Sequence, residues 1–308
     1  MLWMLLVLLY ALLKGSREIA KKLAMTKNTV MEVLVVYTLL SFIFVIPQAP
    51  NAGGLSLKFY LLIALKSFFI FLAWIFSFRS LKKLPVSLYG ILDLSRVLFA
   101  TTLGVFALGE VLSVNQTIGL VIVCGGLLLL KFKPKFLKKL FKMEEYSKEP
   151  ATISINTAAT LAPSQPQRST TFYVVIALIS CILNSLSGFM DKVLMKDITS
   201  SQLQFWYMLF LVIYYAIYII VTREKISPTV FKNKWVWILA IMFVIGDKAL
   251  FIANGIPESR ITIMTLIKQS ACLITILGGR FIFKEKNTGY RFFCALIIIG
   301  GILLGVLK

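Results

Sequence analysis

The chain has 308 residues, 59% of them hydrophobic and 15% charged, with mean hydropathy +0.88 and formal charge +20. Soluble domains average roughly 45–50% apolar and about 25% charged residues, so the apolar excess is too large for one buried core and lipid must solvate much of the surface. Zero His and 13 acidic residues exclude most His-based hydrolases and His-rich metal sites.

A helix needs about 20 mostly apolar residues to cross a bilayer. Ten stretches qualify: 2–22, 29–46, 59–78, 86–108 and 114–130, then 172–191, 203–222, 235–254, 261–283 and 290–307. The first begins directly at Met1 with neither a basic leader nor a small-residue cleavage site, so it reads as a retained span and not a signal peptide. Most connections are short and carry Pro, Gly, Asn or Lys. The exception is 131–171. Its first part, Lys131 to Tyr146, interleaves Phe132, Phe136, Leu137, Leu140 and Phe141 with Lys133, Lys135, Lys138, Lys139 and Lys142 at helical spacing. That pattern predicts a basic interfacial helix on anionic lipid. Ser, Thr, Ala and Pro dominate from Ser147 to about Thr171 and predict a flexible linker.

This segment divides the chain into a first unit, 1–130, and a second, 172–308. The two resemble each other. At a shift of 175 residues, Ser95 meets Ser270, Gly104 meets Gly279, Glu110 meets Glu285, and Gly125-Gly126 meets Gly300-Gly301. Five spans is an odd number, so the second copy must enter from the opposite side. The expected fold is therefore all-α and membrane-embedded, with ten transmembrane helices as two inverted five-helix repeats.

Loop charges give the orientation. One side carries Arg17, Lys21, Lys22 and Lys27, then Arg79, Lys82 and Lys83, the basic linker, Arg223, Lys225, Lys232 and Lys234, and Lys284, Lys286 and Arg291. The other holds only Lys58, Lys192, Lys196, Arg260 and Lys308. The positive-inside rule puts the linker in the cytoplasm and both termini outside, in a cell (inner) membrane. The positive charge thus reads as loop anchoring and not as a nucleic-acid surface.

Charges inside the spans carry the functional signal. Lys14, Lys66, Asp93, Arg96, Asp247, Lys248 and Lys268 lie deep, whereas Arg280 is near enough to a helix end to snorkel. A charge at the bilayer centre costs at least ~2.5–3.5 kcal/mol, so each is expected to face a partner or water. Tyr89, Asp93 and Arg96 share one helix face, as do Tyr10, Lys14, Arg17 and Lys21 on the first span. Lys66 and Trp74 share a face of the third span, with Trp74 a stacking wall for a ligand. Lys268, with Gln269 beside it, falls at the position equivalent to Asp93, while Asn184 and Asp191 take the place of Lys14 and the Lys21 region. Asp93 with Arg96 or Lys268 reads equally as a structural or gating lock and as part of the substrate-binding set, and Asp93 and Lys268 are the candidates for gate or proton coupling. Deep positive residues outnumber deep negative ones, and a surplus cation in a low-dielectric cavity calls for an anion.

Nothing in the chain matches a phosphate-cradling loop, a dinucleotide turn or a Ser-centred nucleophile elbow. Cys124, Cys181, Cys272 and Cys294 lie inside apolar runs without metal-ligand spacing. No catalytic residue, metal or cofactor is therefore expected. Glu110 and Glu285 end spans and are expected to cap or pair there.

The runs Pro85-Val86-Ser87, Leu108-Gly109-Glu110, Ile118-Gly119 and Cys124-Gly125-Gly126 close the first half. Ser259-Arg260, Phe283-Lys284-Glu285 and Ile299-Gly300-Gly301 close the second. Together they make the chain similar to the drug/metabolite transporter superfamily, in its EamA-type two-repeat group. The resemblance implies alternating access around a central cavity between the first, third and fourth helices of each half. Two departures stand out: Lys284 replaces the Gly109 of the first copy, and the loop charges favour outward termini where two-repeat members commonly keep them inside. The expected function is secondary transport of a small polar, anionic or zwitterionic metabolite by a monomer or homodimer. The rivals are a non-transporting scaffold or lipid-binding subunit, and a carrier of amphiphilic cations.

Overall fold

A computed structural model of the chain describes residues 2–99, 102–103, 114–132, 170–256, 264, 267–285 and 287–306. Among these residues every regular element is helical. The α-helices are α1 (Leu2–Ala24), α2 (Val30–Val45), α3 (Leu57–Lys83), α4 (Val86–Asp93), α5 (Val114–Phe132), α6 (Thr170–Leu194), α7 (Ser200–Thr222), α8 (Lys234–Asn254), α9 (Ala271–Phe281) and α10 (Thr288–Val306). The basic interfacial segment and linker predicted over 131–171 lie outside the described residues except where α5 ends and α6 begins. Glu110 and Ser259-Arg260 also lie outside them.

Local sequence explains the boundaries. Thr29 and Glu32 form a reciprocal capping box at the start of α2, and Thr199 and Gln202 form the second at the start of α7. Pro47 and Pro50 fall in the 3-10 turn Ile46–Asn51 that ends α2. Leu84 is extended before Pro85, which separates α3 from α4. Arg223 adopts a left-handed φ of 52° where α7 stops.

Five described segments are long and apolar enough to cross a membrane: Val30–Asn51, Leu57–Lys83, Thr170–Asp191, Ser200–Thr222 and Lys234–Asn254. Helix α1 has the length but carries Lys14, Arg17, Glu18, Lys21 and Lys22 along its second half. Its apolar face points outward, with Leu2 and Leu5 each 64% exposed, while Lys14, Arg17, Glu18 and Lys21 are buried. Outer faces of α3, α7 and α8 likewise expose Leu57, Leu61, Ile217, Ile220, Ile241 and Ile245. Apolar residues outside and charges inside reverse the order of a water-soluble protein.

Helix α1 packs along α8 and against α9, while α3 packs along α6 and α7, and α4 against α9 and α6. Helix α8 also packs on α2, α2 on α7, and α5 on α10. Glycines let the last pair approach. A Cβ on Gly301 would stand 2.8 Å from the Gly119 carbonyl oxygen, and one on Gly126 would stand 2.5 Å from Ile298 Cγ1. Gly125 and Gly300 face open space.

The turns gather at two ends. At one end Asn233 Nδ2 donates to Ala24 O and Asn28 Oδ1, Lys82 Nζ to Asn28 O, and Ser227 N to Glu32 Oε1. At the other Gln202 Nε2 donates to Gly53 O and Trp206 Nε1 to Ala52 O.

Candidate functional site

Helix α4 breaks at the first of the deep acids. After Asp93, Leu94 and Ser95 form a turn and helix resumes at Arg96. Its bonds tighten to the i−3 carbonyl: Leu94 N to Ile91 O, Ser95 N to Leu92 O and Val97 N to Leu94 O. Side chains of α6 take up two carbonyls there. Ser185 Oγ donates to Arg96 O at 3.2 Å and Cys181 Sγ to Leu92 O at 3.7 Å. A second interruption falls at Ser270, where Ser270 N bonds Ile267 O and Leu273 N bonds Ser270 O before α9 runs on. Here α1 supplies the contact, because a Cβ on Gly15 would stand 2.7 Å from Ala271 O. Ser95 and Ser270 are the pair matched by the 175-residue shift.

Ion pairs cluster around these breaks. Lys14 Nζ lies 2.7 Å from Asp93 Oδ2 and Arg96 Nε lies 2.6 Å from Asp93 Oδ1. Lys66 Nζ on α3 lies 2.7 Å from Asp191 Oδ1 on α6, and Arg17 Nη1 on α1 donates to Asp247 Oδ1 on α8 at 3.2 Å. Lys21 Nζ donates to Glu18 Oε1 at 2.7 Å. Aromatic faces shield several cations: Lys66 Nζ sits 3.7 Å from the Tyr207 ring centroid, and the Arg17 guanidinium 5.0 Å from that of Phe243.

Lys268 and Gln269 stand apart. Lys268 is half-buried and Gln269 is 6% exposed, and neither side chain bonds or pairs with any described residue. The charges that act on Lys268 are those of Lys14, Asp191 and Arg96. Asp93 and Lys268, pseudo-equivalent in sequence, thus do not pair with each other. Asp93 is shared by two cations, while Lys268 makes no ion pair with a carboxylate among the described residues.

The other predicted positions separate from this centre. Lys248 points away from its neighbour Asp247 and donates to Gln48 Oε1 at 2.7 Å and Ser201 Oγ at 2.9 Å. That cluster reaches Gln204 and lies toward the end holding Ala52 and Gly53. Asn184 donates back to Ser180 O on its own helix. Trp74 is packed among Tyr37 and Phe243, with ring centroids at 5.2 Å to each. Tyr89 shares a hydrogen with Ser77 Oγ at 2.6 Å.

Three participants stand outside the sequence-derived set. Arg17 shares a stripe with Lys14 but counts among the loop charges, Asp191 lies next to a span end, and Glu285 follows α9. Glu285 accepts from Val86 N at 2.5 Å and Ser87 N at 3.2 Å, which caps α4. The signal for Arg17 was its helical spacing from Lys14. Nothing local marks Asp191 as the partner of Lys66. Among the described residues no cluster of three or more acidic or Cys side chains is placed to hold a metal.

Residues 1–132 match the EamA-like transporter family. The match is consistent with a member of the drug/metabolite transporter superfamily and, with the apolar helices, makes the chain a multi-pass membrane protein. One solved structure, described only as the crystal structure of a protein, superposes with a TM-score of 0.64 at 14% identity, covering 99% of this chain and 98% of the other. That likeness concerns the fold alone. No curated protein matches.

Proposed function

Because residues 1–132 are EamA-like and the chain is a multi-pass membrane protein, we propose that it is a secondary transporter of a small anionic or zwitterionic metabolite, working by alternating access. The family match points to transport and not to catalysis.

Lys268 carries the reading of substrate charge. Among the described residues it makes no ion pair, and it lies within electrostatic reach of Asp191 and of Lys14 and Arg96, which already share Asp93. An organic carboxylate or phosphate there would meet Lys268 and the polar Gln269, and would offset the surplus charge. Asp93 is the gate or proton-coupling group, since at the break of α4 it holds Lys14 of α1 and Arg96 together, and a substrate anion could draw either cation from it. Lys66, Asp247, Asp191 and Arg17 frame the path.

Two inverted repeats of five helices supply the moving parts. Several observations support that arrangement. Advancing each helix number by five turns the α1–α8 contact into α6–α3 and the α1–α9 contact into α6–α4, and all four occur. The Arg17–Asp247 pair becomes the Lys66–Asp191 pair with the acid and base exchanged between helices. Helix α1 ends beside Asn233, whereas α6 ends at the turn before Thr199, at the Gly53 end. Broken helices beside the charges are the usual construction of a transporter midplane site.

Purified chain in liposomes tests the reading. A thermal-shift screen over small organic acids, amino acids and phosphate esters selects ligands, and counterflow of the best one follows. Lys268→Gln should cut anion uptake at least ~10-fold, as loss of a charge-assisted contact of ~1.5–3 kcal/mol implies. Uptake restricted to lipophilic cations, indifferent to Lys268→Gln and Arg96→Gln, would refute it. A cytoplasm-only reporter fused after Lys308 should stay inactive if the termini face outward, as the loop charges imply, and activity would overturn that orientation.

A further inference from the structure

The end of the molecule that gathers the turns around 25–29, 84–85, 223–233 and 282–287 is rich in Lys and Arg, and the carboxylate of Glu285 reaches between three helices there. Glu285 Oε1 accepts from Val86 N, and Oε2 accepts from Ser87 N and the Ser87 hydroxyl. Arg291 Nη1 donates to Glu285 Oε2 at 2.9 Å and to Ser87 Oγ at 2.5 Å. Lys22 Nζ lies 3.9 Å from Glu285 Oε1 and donates to Leu84 O at 2.6 Å. A single side chain thus joins the end of α1, the start of α4 and the start of α10.

The backbone is shaped to deliver it. Lys284 takes a left-handed φ of 49°, and Glu285 N turns back to Gly279 O at 2.9 Å. A Cβ at Gly279 would stand 2.7 Å from Glu285 Oε2, so glycine leaves the room the carboxylate occupies. The outer helices are tied differently. Asn233 to Ala24 and Ser227 to Glu32 at this end, and Gln202 to Gly53 at the other, do not involve α4 or α9.

The hydrogen bonds and ion pairs of Glu285 lie at the ends of α1, α4 and α10. On separation, the Val86 and Ser87 N–H groups, Arg291 and Lys22 would regain water, so the junction can open at small cost. We propose that Glu285 is the latch that holds the basic end of the path shut. With the carboxylate in place, α1, α4 and α10 are drawn together and the Asp93 centre is sealed from that side. Without it, Lys22 and Arg291 repel each other and the α4 N-terminus loses its cap. The proposal depends on the transport reading for the existence of a path, yet its readout is conformational and needs no flux.

Cys272 is a native reporter. It is 4% exposed, sits two residues past the Ser270 break, and lies within electrostatic reach of Lys14 and Asp93. In a chain carrying Cys124→Ser, Cys181→Ser and Cys294→Ser, a membrane-impermeant maleimide is applied to vesicles of each orientation. Glu285→Gln should raise the labelling rate of Cys272 at least ~10-fold from the basic side only, given the loss of several charge-assisted bonds. Equal rates in folded Glu285→Gln protein, or lower thermal stability without faster labelling, overturn the proposal. Should Glu285→Gln fail to fold, Ser87→Ala and Arg291→Gln carry the test, with faster labelling supporting the latch and unchanged labelling overturning it. Faster labelling in a chain that transports nothing leaves the latch standing and removes the transport reading.

Discussion

Breaking the Lys66–Asp191 pair offers the sharpest test of how the charged centre is held. The side chains are 2% and 18% exposed and their charged atoms lie 2.7 Å apart. At an effective dielectric of about 20, that separation corresponds to ~6 kcal/mol of attraction, most of it spent on desolvating the two ions. The net value of the pair against two well-packed apolar residues is therefore small. Removing only one partner is different, because it leaves the other charge buried without compensation, at ~3–5 kcal/mol. Asp191→Asn strands Lys66, which keeps the Tyr207 face at 3.7 Å and thereby ~1–2 kcal/mol of cation–π attraction. The expected loss for Asp191→Asn is about 1–4 kcal/mol. Lys66→Met combined with Asp191→Asn should recover at least about half of it. Equilibrium unfolding in mixed micelles across the four-member cycle gives the coupling directly. A coupling energy below about 0.5 kcal/mol, or a double variant less stable than Asp191→Asn alone, would refute the picture of an uncompensated buried cation.

Other expectations follow from close packing and caps. Gly90→Ala places a Cβ into Thr275, so it should destabilise by about 1–3 kcal/mol, and Thr275→Ala in the same chain should return part of the loss in a thermal melt. Gly126→Leu should cost a similar amount through Ile298, whereas Gly125→Leu, facing open space, should leave the melting temperature close to that of the parent. Thr29→Ala removes one side of the α2 capping box and should cost ~1 kcal/mol. Glu32→Gln weakens the bond to Ser227 N as well, so hydrogen exchange should quicken at Ser227 in this variant and not in Thr29→Ala.

Much of the site was legible because the bilayer makes charge conspicuous. Lys14, Lys66, Asp93, Arg96, Asp247 and Lys268 stand out in apolar runs, and the helical stripe Tyr10, Lys14, Arg17, Lys21 already marked the inner face of α1. Arg17 counts as a loop charge because a residue within a turn or two of a helix end can snorkel to water. It is instead 7% exposed because α8 lies along it and brings Asp247. The break in α4 was invisible for another reason. The stretch Asp93-Leu94-Ser95-Arg96 holds neither Pro nor Gly, so periodicity carries one span through 86–108. The tightened turn survives because Cys181 and Ser185, about 90 positions away in sequence, bond to Leu92 O and Arg96 O.

Composition by itself determined that this chain is helical and solvated by lipid, because every buried backbone bond in hydrocarbon must be satisfied within the segment that makes it. The order of apolar and basic stretches determined where the helices end. Only the tertiary structure decided which acid answers which base. It joined Lys66 to Asp191 and Arg17 to Asp247, gave Asp93 two cations, left Lys268 without an ion pair among the described residues, and turned Glu285 onto the first residues of α4. The reason is range: helix formation depends on neighbours within four residues, whereas an ion pair in a low-dielectric interior depends on where two distant helices come to rest.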